Sequence, residues 1–119
     1  VLLHAICDAM LGAAHLKDIG THFPDNDAAF KNIDSKILLK KTAELVASKG
    51  YKIENIDSII CAQEPKMKPY IDEMQRTIAS ILGIDEEDAS VKATTTEKLG
   101  FVGRKEGIAA HAVVLLSKE

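Results

Sequence analysis

Tryptophan is absent from this sequence, and other aromatic residues are scarce, with two tyrosines and three phenylalanines among 119 residues. A hydrophobic core must therefore be built mainly from isoleucine, leucine, valine and alanine. At 46% hydrophobic residues, the composition supplies enough of them. A chain of this length is close to the commonest size of a single domain, which favours one domain with one core.

Two further absences exclude whole classes of protein. Lysine and arginine form no block or stripe, and fifteen basic residues are mixed with eighteen acidic ones for a net charge of -3. This distribution argues against a nucleic-acid-binding domain, although it is compatible with one small anion at a local site. The sequence also lacks a signal peptide and an apolar run of the roughly 20 residues that a membrane-spanning helix needs. It therefore predicts neither a nucleic-acid partner nor a membrane partner.

Cysteine is also rare. Cys7 lies in an apolar helical pattern, and Cys61 lies at the end of an apolar run. Two such cysteines in a mildly acidic chain are typical of buried free thiols in a reducing compartment rather than of a disulfide. The bacterial cytoplasm is the expected location, with a plastid as the alternative.

Hydrophobic periodicity and turn residues predict the order helix, helix, strand, helix, strand, strand. The expected ranges are a helix over 1–16, a long loop over 17–34, a helix from Asp34 or Ser35 to Gly50, a strand over 53–62, a helix over 69–82 ended by Gly83, a strand over 91–94, a short helical turn over 97–101 and a strand over 107–116. This order predicts a single α+β domain with helices packed on one face of a mixed β-sheet.

His4 and the loop after the first helix are the first candidates for chemistry. Asp8 lies one helical turn after His4 on the same face, as a carboxylate does when it holds a metal-binding imidazole. A structural histidine is the alternative, because one histidine does not make a zinc site. In the loop, Asp18 is followed by Gly20, and residues 23–27 read FPDND. Such carboxylates suit sugar hydroxyls or a divalent cation, whereas Asx turns explain the same composition.

Polar segments follow two of the predicted strands. Residues 62–68 (AQEPKMK) leave a buried strand, where exposed backbone groups can read a nucleobase edge, or form a plain surface turn. Residues 94–96 are three consecutive threonines, and Glu97 follows them. They suit phosphate oxygens with a bridging divalent ion, or a helix cap in the form of a capping box. Arg104 suits phosphate recognition or a solvated turn.

Five segments together carry a resemblance to a known family, because they occur in the order and at the spacing that the family has. They are residues 4–14 (HAICDAMLGAA), 18–20 (DIG), 23–27 (FPDND), 65–67 (PKM) and 91–101 (VKATTTEKLGF). Over the whole chain they resemble the 2-C-methyl-D-erythritol 2,4-cyclodiphosphate synthase family, and the run KATTTEKLGF is highly specific.

The resemblance implies a metal-dependent phosphorus–oxygen lyase of the non-mevalonate route to isoprenoid precursors. It implies conversion of 4-diphosphocytidyl-2-C-methyl-D-erythritol 2-phosphate into the 2,4-cyclodiphosphate with release of CMP. The implied cofactors are Zn²⁺ and a second ion, Mg²⁺ or Mn²⁺. The implied assembly is a homotrimer with active sites between adjacent subunits. The strand over 107–116 is apolar on both faces, which favours its burial about a three-fold axis.

The resemblance also implies roles for individual residues. His4 is the implied zinc ligand, Glu97 the ligand of the second ion, and Thr95 the catalytic residue that stabilises the transition state. The implied substrate contacts are Asp18, Ile19 and Gly20 for the ribose; Phe23, Pro24, Asp25, Asn26 and Asp27 for the methylerythritol; Ala62, Gln63, Glu64, Pro65, Lys66, Met67 and Lys68 for the cytosine; and Thr94, Thr96, Phe101 and Arg104 for the diphosphate and the trimer axis.

Two features of the family have no counterpart here. An Asp-x-His pair that completes the family's zinc site, and a His-Ser dipeptide, do not occur in the sequence. The chain begins at Val1 inside a helical pattern without a capping residue, so we expect a preceding segment that carries them. The chain as it stands is expected to be catalytically incomplete. The alternatives are a non-catalytic cytidine-nucleotide-binding trimer and a zinc-dependent phosphohydrolase in which water is the nucleophile.

Overall fold

The structure is a computed structural model that describes residues 1–24 and 34–119. Within these ranges the helices are α1 (Leu2–Ala13), α2 (Ile19–His22), α3 (Ser35–Ser48), α4 (Ile71–Leu82) and α5 (Gly100–Gly103), and the strands are β1 (Tyr51–Cys61), β2 (Ala89–Thr94) and β3 (Ala109–Lys118). Short 3-10 turns precede α4 and β2, at Lys68–Tyr70 and Glu86–Asp88. No helix in the described ranges is long and apolar enough to cross a membrane.

The strands form a mixed sheet in the order β2-β1-β3. β1 runs parallel to β2 and antiparallel to β3, so that Cys61 lies opposite both Thr94 and Ala109. α4 lies in the crossover between the two parallel strands, because parallel neighbours cannot be joined by a tight turn. Consequently the chain leaves β1 and β2 at the same edge of the sheet.

Helices cover one face of this sheet and enclose the core. α1 packs on β3, and α4 packs on β2. The core-facing strand residues Ile56, Ile60 and Val91 are buried, and the largest fully buried helix side chains are Ile6, Met10, Leu11, Leu39, Val46 and Ile78. The predicted α+β class, with a mixed sheet and helices in a single compact domain, is confirmed.

The opposite face of the sheet is open in the isolated chain. Val113 is 72% exposed and Leu115 is 57% exposed, although both lie in the middle of β3. On the neighbouring strands this face carries an ion pair, with Lys92 Nζ 2.7 Å from an oxygen of Asp57. An apolar strip on β3 therefore lies beside a charged strip on β1 and β2.

Two helix ends lie where local sequence chemistry places them. Asp34 caps α3, since its Oδ1 accepts a hydrogen bond of 2.8 Å from the Lys36 N–H. α4 ends at Gly83, whose φ of 69° is in the left-handed region that glycine adopts without cost. Both of these predictions are confirmed.

The short helical turn predicted over 97–101 is wrong. Glu97 and Lys98 have left-handed φ values of 53° and 66°, and the helix begins only at Gly100. Its N-cap residue is Leu99, whose side chain cannot accept a hydrogen bond, so the capping box of Thr94 and Glu97 does not form. The strand predicted over 107–116 is β3, displaced by two residues to Ala109–Lys118.

Both cysteines are free thiols, as predicted, with Cys7 buried and Cys61 partly buried. Burial raises the pKa of the Cys7 thiol to about 11, and a hydrogen bond with Thr42 opposes this only in part. Cys7 is therefore a neutral thiol at neutral pH. A buried neutral thiol packs as a small hydrophobic group and is a poor nucleophile.

We expect Leu39→Ala to lower the free energy of unfolding by about 2–5 kcal/mol, because it leaves a cavity in the core. Leu39 is fully buried on α3, whereas Ile37 on the same helix is 51% exposed. Ile37→Ala is the matched control and should change stability by no more than about 0.5–1 kcal/mol. Urea unfolding at one protein concentration measures both, and equal losses would contradict this description of the core.

Candidate functional site

The polar segments that follow β1 and β2 meet at one edge of the sheet. Because Cys61 and Thr94 are paired at the ends of parallel strands, the next residues of both strands are adjacent. The Ala62 N–H extends the pairing by donating a hydrogen bond of 3.0 Å to the Thr94 carbonyl oxygen. Ligands of open α/β sheets commonly bind beyond the carboxyl ends of the strands. We call residues 62–68 the 62–68 loop and residues 94–98 the 94–98 turn.

A pocket of about 310 Å³ lies between the 62–68 loop and the 94–98 turn. The loop side supplies apolar, amide and ammonium side chains, and the side of β2 and the turn supplies two hydroxyls. Its lining residues are Ala62, Gln63, Lys66, Met67, Lys68, Ala93, Thr94 and Thr95. A planar ring against the loop and phosphate oxygens against the hydroxyls would match this division of chemistry.

Hydrogen bonds hold the threonines of the 94–98 turn in different ways. The Thr94 hydroxyl donates to the Thr95 carbonyl oxygen at 3.1 Å, and the Thr96 hydroxyl donates to the Leu99 carbonyl oxygen at 2.6 Å. Thr95 Oγ1 instead accepts from the Glu97 N–H at 3.3 Å. Among the described residues the Thr95 hydroxyl proton is therefore not used in a hydrogen bond, whereas Thr96 uses its proton to close the turn.

One ion pair ties the 62–68 loop to the segment that contains α5. Glu64 in the 62–68 loop pairs with Lys105 at 3.2 Å, and Arg104 pairs with Glu106 at 2.7 Å. Phe101 is 51% exposed. Its ring lies so close to Gly107 that an added Cβ there would be 3.1 Å from it. Phe101 and Arg104 are thus placed beyond the 94–98 turn, with Arg104 neutralised by a local partner.

A second group of predicted site residues is held by α1 and α2. Asp18 caps α2, and its Oδ1 accepts from the Thr21 hydroxyl at 2.6 Å and from the Thr21 N–H at 3.0 Å. These hydrogen bonds hold the pKa of the Asp18 carboxyl below its usual range. Ile19 is half-buried, Gly20 is exposed, and Phe23 belongs to the hydrophobic core. Pro24 is half-buried, and the predicted Asp25, Asn26 and Asp27 lie outside the described residues.

His4 is exposed on α1, and its Nε2 lies 3.4 Å from the Ser35 hydroxyl at the start of α3. Asp8, expected to face His4, instead accepts a hydrogen bond of 2.9 Å from the Ile19 N–H and so anchors α2 to α1. Across residues 1–24 and 34–119, no three His, Cys, Asp or Glu side chains are grouped closely enough to hold a metal ion. The described residues therefore do not fit a complete zinc site.

Sequence reasoning missed a larger pocket of about 500 Å³ between the first turns of α1 and α3 and one face of α4. Met67 is the predicted site residue that lines it, and Met67 also lines the smaller pocket. Most of the other lining residues have apolar side chains, namely Val1, Leu2, Leu3, Ile60, Tyr70, Met74 and Ile78. An apolar helix face reads as core in a sequence, so no signal distinguished this pocket.

Fold and site together define a class: a small α+β domain with a nucleotide-sized pocket between a lysine-containing loop and a threonine-rich turn. Comparison with known proteins identifies the family within that class. The model of the YgbB family matches residues 1–117. The chain therefore belongs to the YgbB family.

Named relatives agree with this assignment. The 2-C-methyl-D-erythritol 2,4-cyclodiphosphate synthase of Bacteroides fragilis is 64% identical over 118 residues, which are 99% of this chain and 74% of the relative. The bifunctional IspDF of Campylobacter jejuni superposes with a TM-score of 0.94 at 49% identity, over 98% of this chain and 32% of its own. IspF of Plasmodium falciparum in its CDP complex superposes with a TM-score of 0.85 at 38% identity, over 98% of this chain and 70% of its own.

These findings confirm the family resemblance and the lyase function predicted from the sequence. Of the predicted site residues, the fold brings together the 62–68 loop, the threonines of the 94–98 turn and the α5 segment. His4 and the Asp18 loop form the separate group on α1 and α2.

Proposed function

We infer that this chain supplies the cytidine pocket and the diphosphate-binding turn of a 2-C-methyl-D-erythritol 2,4-cyclodiphosphate synthase. The observation that carries this inference is the pocket of about 310 Å³ that the 62–68 loop and the 94–98 turn form together. The P. falciparum relative was solved with CDP, a ligand of the size and charge that such a pocket suits.

The reaction is an internal phosphoryl transfer. An oxygen of the substrate's 2-phosphate attacks the β-phosphorus, and the bond from that phosphorus to the oxygen bridging to the α-phosphorus breaks. The electron pair of the broken bond leaves with CMP, and the new phosphorus–oxygen bond closes the cyclic diphosphate. No water or redox partner is needed. The protein's contribution is to hold the two phosphates in line and to stabilise the charge that develops between them.

Residues of the smaller pocket divide this work. Backbone groups of the 62–68 loop bind the cytosine, with Met67 packed against the ring. The hydroxyls of Thr94 and Thr95 lie at the phosphate end. Thr95 donates to the oxygen that gains charge in the transition state, because its proton is not used within the turn.

The second group of residues serves the sugar portions of the substrate. Asp18 and Gly20 bind the ribose hydroxyls, and the segment from Phe23 to Asp27 surrounds the methylerythritol. His4 contributes to a zinc site, and Glu97 to a site for Mg²⁺ or Mn²⁺. When bound, such ions neutralise phosphate charge. Because the described residues do not complete either metal site, we assign no step of the reaction to a metal.

The residues of the smaller pocket follow β1 and β2, whereas His4 and Asp18 are held by α1 and α2. This separation supports an active site built from two subunits. In this proposal the chain forms a homotrimer, and the outward strip of β3 lies at the three-fold axis. The 62–68 loop of one subunit then faces the Asp18 loop of the next.

Nucleotide selectivity tests the pocket. Calorimetry on the full-length protein should give tighter binding of CMP and CDP than of UMP and UDP, by about tenfold or more. The reason is that a uracil ring would leave hydrogen-bonding groups of a cytosine pocket unpaired, and each buried unpaired group costs about 1–3 kcal/mol. Equal affinity for cytidine and uridine nucleotides would count against the proposed function.

The products of turnover separate this function from its rivals. Incubation of the full-length protein with the diphosphocytidyl substrate should release CMP and the cyclic diphosphate in equal amounts. CMP without cyclic product would indicate the phosphohydrolase. Tight cytidine-nucleotide binding without turnover would indicate the non-catalytic trimer.

Solution mass tests the assembly. We expect the full-length protein to be a trimer, and Val113→Asp to dissociate it, because a charge on the exposed apolar strip of β3 would be buried between subunits. Ile37→Asp places the same charge on an exposed residue of α3 and should leave the trimer intact. Light scattering measures both, and a monomeric wild-type protein would contradict the assembly.

A further inference from the structure

We propose that Gln63 is a positioning residue, whose side-chain amide sets the phosphate-binding turn relative to the nucleotide pocket. This goes beyond a contact with cytosine and rests on the proposed function. Gln63 is half-buried at the start of the 62–68 loop, and its Oε1 accepts a hydrogen bond of 3.1 Å from the Lys98 N–H. The two residues are 35 positions apart, so this bond joins two separate segments.

The turn that receives this bond has a strained backbone. Glu97 and Lys98 are consecutive residues with left-handed φ values of 53° and 66°, which side chains with a Cβ rarely adopt. Such conformations persist only where surrounding structure holds them, and they are frequent at ligand-binding positions. The turn therefore needs contacts from other segments to stabilise its conformation.

Among the described residues, few contacts from other segments stabilise the 94–98 turn. The hydrogen bonds of the Thr94, Thr95 and Thr96 side chains all stay within the turn and its next residue. Among the residues that the structure describes, the Gln63 amide is the hydrogen-bonding side chain that reaches the turn from another segment. Gly103 also packs against Lys98, since an added Cβ there would lie 2.1 Å from the Lys98 carbonyl carbon. The Lys98 backbone thus contacts both Gly103 and Gln63.

The hydrogen bond from Lys98 to Gln63 couples the 62–68 loop to the 94–98 turn. Ala62 bonds to Thr94 at the start of the turn, and Gln63 bonds to Lys98 at its end, so the loop fixes both ends of the turn. The segment between these two bonds carries Thr95 and Glu97. A shift of the loop therefore moves the groups proposed to act on the phosphates.

The test compares Gln63→Met with a matched control in the full-length protein. Methionine keeps the length of the side chain but removes the amide acceptor. Gln75 on α4 makes the same kind of bond, its Oε1 accepting from the Val91 N–H at 3.1 Å, away from the pocket. Gln75→Met therefore removes an equivalent hydrogen bond without touching the site.

We expect Gln63→Met to lower the ratio of CDP affinity to CMP affinity by about fivefold, which is the value of one hydrogen bond. The β-phosphate of CDP reaches the turn, whereas CMP depends on the loop, so CMP affinity should change less than about threefold. kcat should fall about tenfold to a hundredfold, by a larger factor than KM rises, because misplaced reacting groups cost rate beyond the binding that is lost in the ground state. The Lys98 amide should also exchange with deuterium faster, which NMR measures directly.

A double variant sharpens the test. Glycine adopts the left-handed conformation readily, so in Lys98→Gly the conformation of the turn depends less on the hydrogen bond to Gln63. The effect of Gln63→Met on the CDP-to-CMP ratio should therefore be at least about threefold smaller in a Lys98→Gly background.

Three results would overturn the proposal. An equal loss of CMP and CDP affinity would make Gln63 a direct nucleobase contact. An equal fall of the CDP-to-CMP affinity ratio in Gln75→Met would show that the effect comes from a general loss of stability. Unchanged Lys98 exchange would show that the bond does not hold the turn. If the wild-type protein binds neither nucleotide, the proposed function fails, whereas the exchange measurement still decides the role of Gln63.

Discussion

His4→Ala should abolish tight zinc binding by the full-length protein, and turnover should be lost with it. His4 is exposed at the N-terminal end of α1, in contact with Ser35. It is the zinc ligand that the family resemblance places in this chain. Loss of a direct ligand should weaken binding by more than about a hundredfold, since outer-shell partners alone are worth about 10–100-fold. Zinc competition titration against a chromophoric chelator measures this loss.

A second histidine provides the control. His15 is exposed and has a left-handed φ of 58°, which asparagine tolerates, so His15→Asn removes an imidazole without straining the backbone. It should leave zinc affinity and turnover unchanged. A polypeptide of residues 1–119 alone should bind zinc weakly, because it has His4 but no Asp-x-His pair. Tight binding of one zinc ion at His4 in that polypeptide would contradict our description of the site.

Thr95→Ala should lower kcat by about a hundredfold to a thousandfold, the usual effect of removing one hydrogen-bond donor to a developing negative charge. The Thr95 hydroxyl accepts from the Glu97 N–H, and in the proposed function it donates its own proton to the phosphate. Thr95→Ser retains the hydroxyl and should retain most of the activity. Steady-state kinetics with the diphosphocytidyl substrate measures both variants.

The distribution of the loss between kcat and KM decides the role of Thr95. A transition-state contact lowers kcat and kcat/KM together, whereas a contact made equally in the ground state raises KM alone. An increase confined to KM in Thr95→Ala would therefore assign Thr95 to substrate binding. Equal losses in Thr95→Ser and Thr95→Ala would show that the hydroxyl is not the active group.

Local chemistry explains which parts of the fold were predictable. Asp34 and Gly83 set helix ends because their preferences act within one or two residues of themselves. The two apolar faces of β3 were visible because side chains alternate along a strand. The structure confirms that one face of β3 packs on the core, while Val113 and Leu115 on the other face are exposed.

Local patterns failed where a distant partner decides the conformation. The stretch after Thr96 reads as a helical turn, yet Glu97 and Lys98 are left-handed. Lys98 contacts Gly103 in the following helix, and its N–H donates to Gln63, which lies 35 positions away. Similarly, helical spacing paired Asp8 with His4, whereas Asp8 bonds to the Ile19 N–H eleven residues away. Spacing shows which groups are within reach but not which partner is used.

The sequence by itself determined the class of fold and the family, and it supplied the candidate residues, because these depend on composition, periodicity and a specific run of residues. Only the tertiary structure decided which candidates share a site. The pairing of Cys61 with Thr94 places the 62–68 loop beside the 94–98 turn, while His4 and Asp18 stay on α1 and α2. Strand register and packing between distant segments set these distances, and neither is encoded in the residues next to the site.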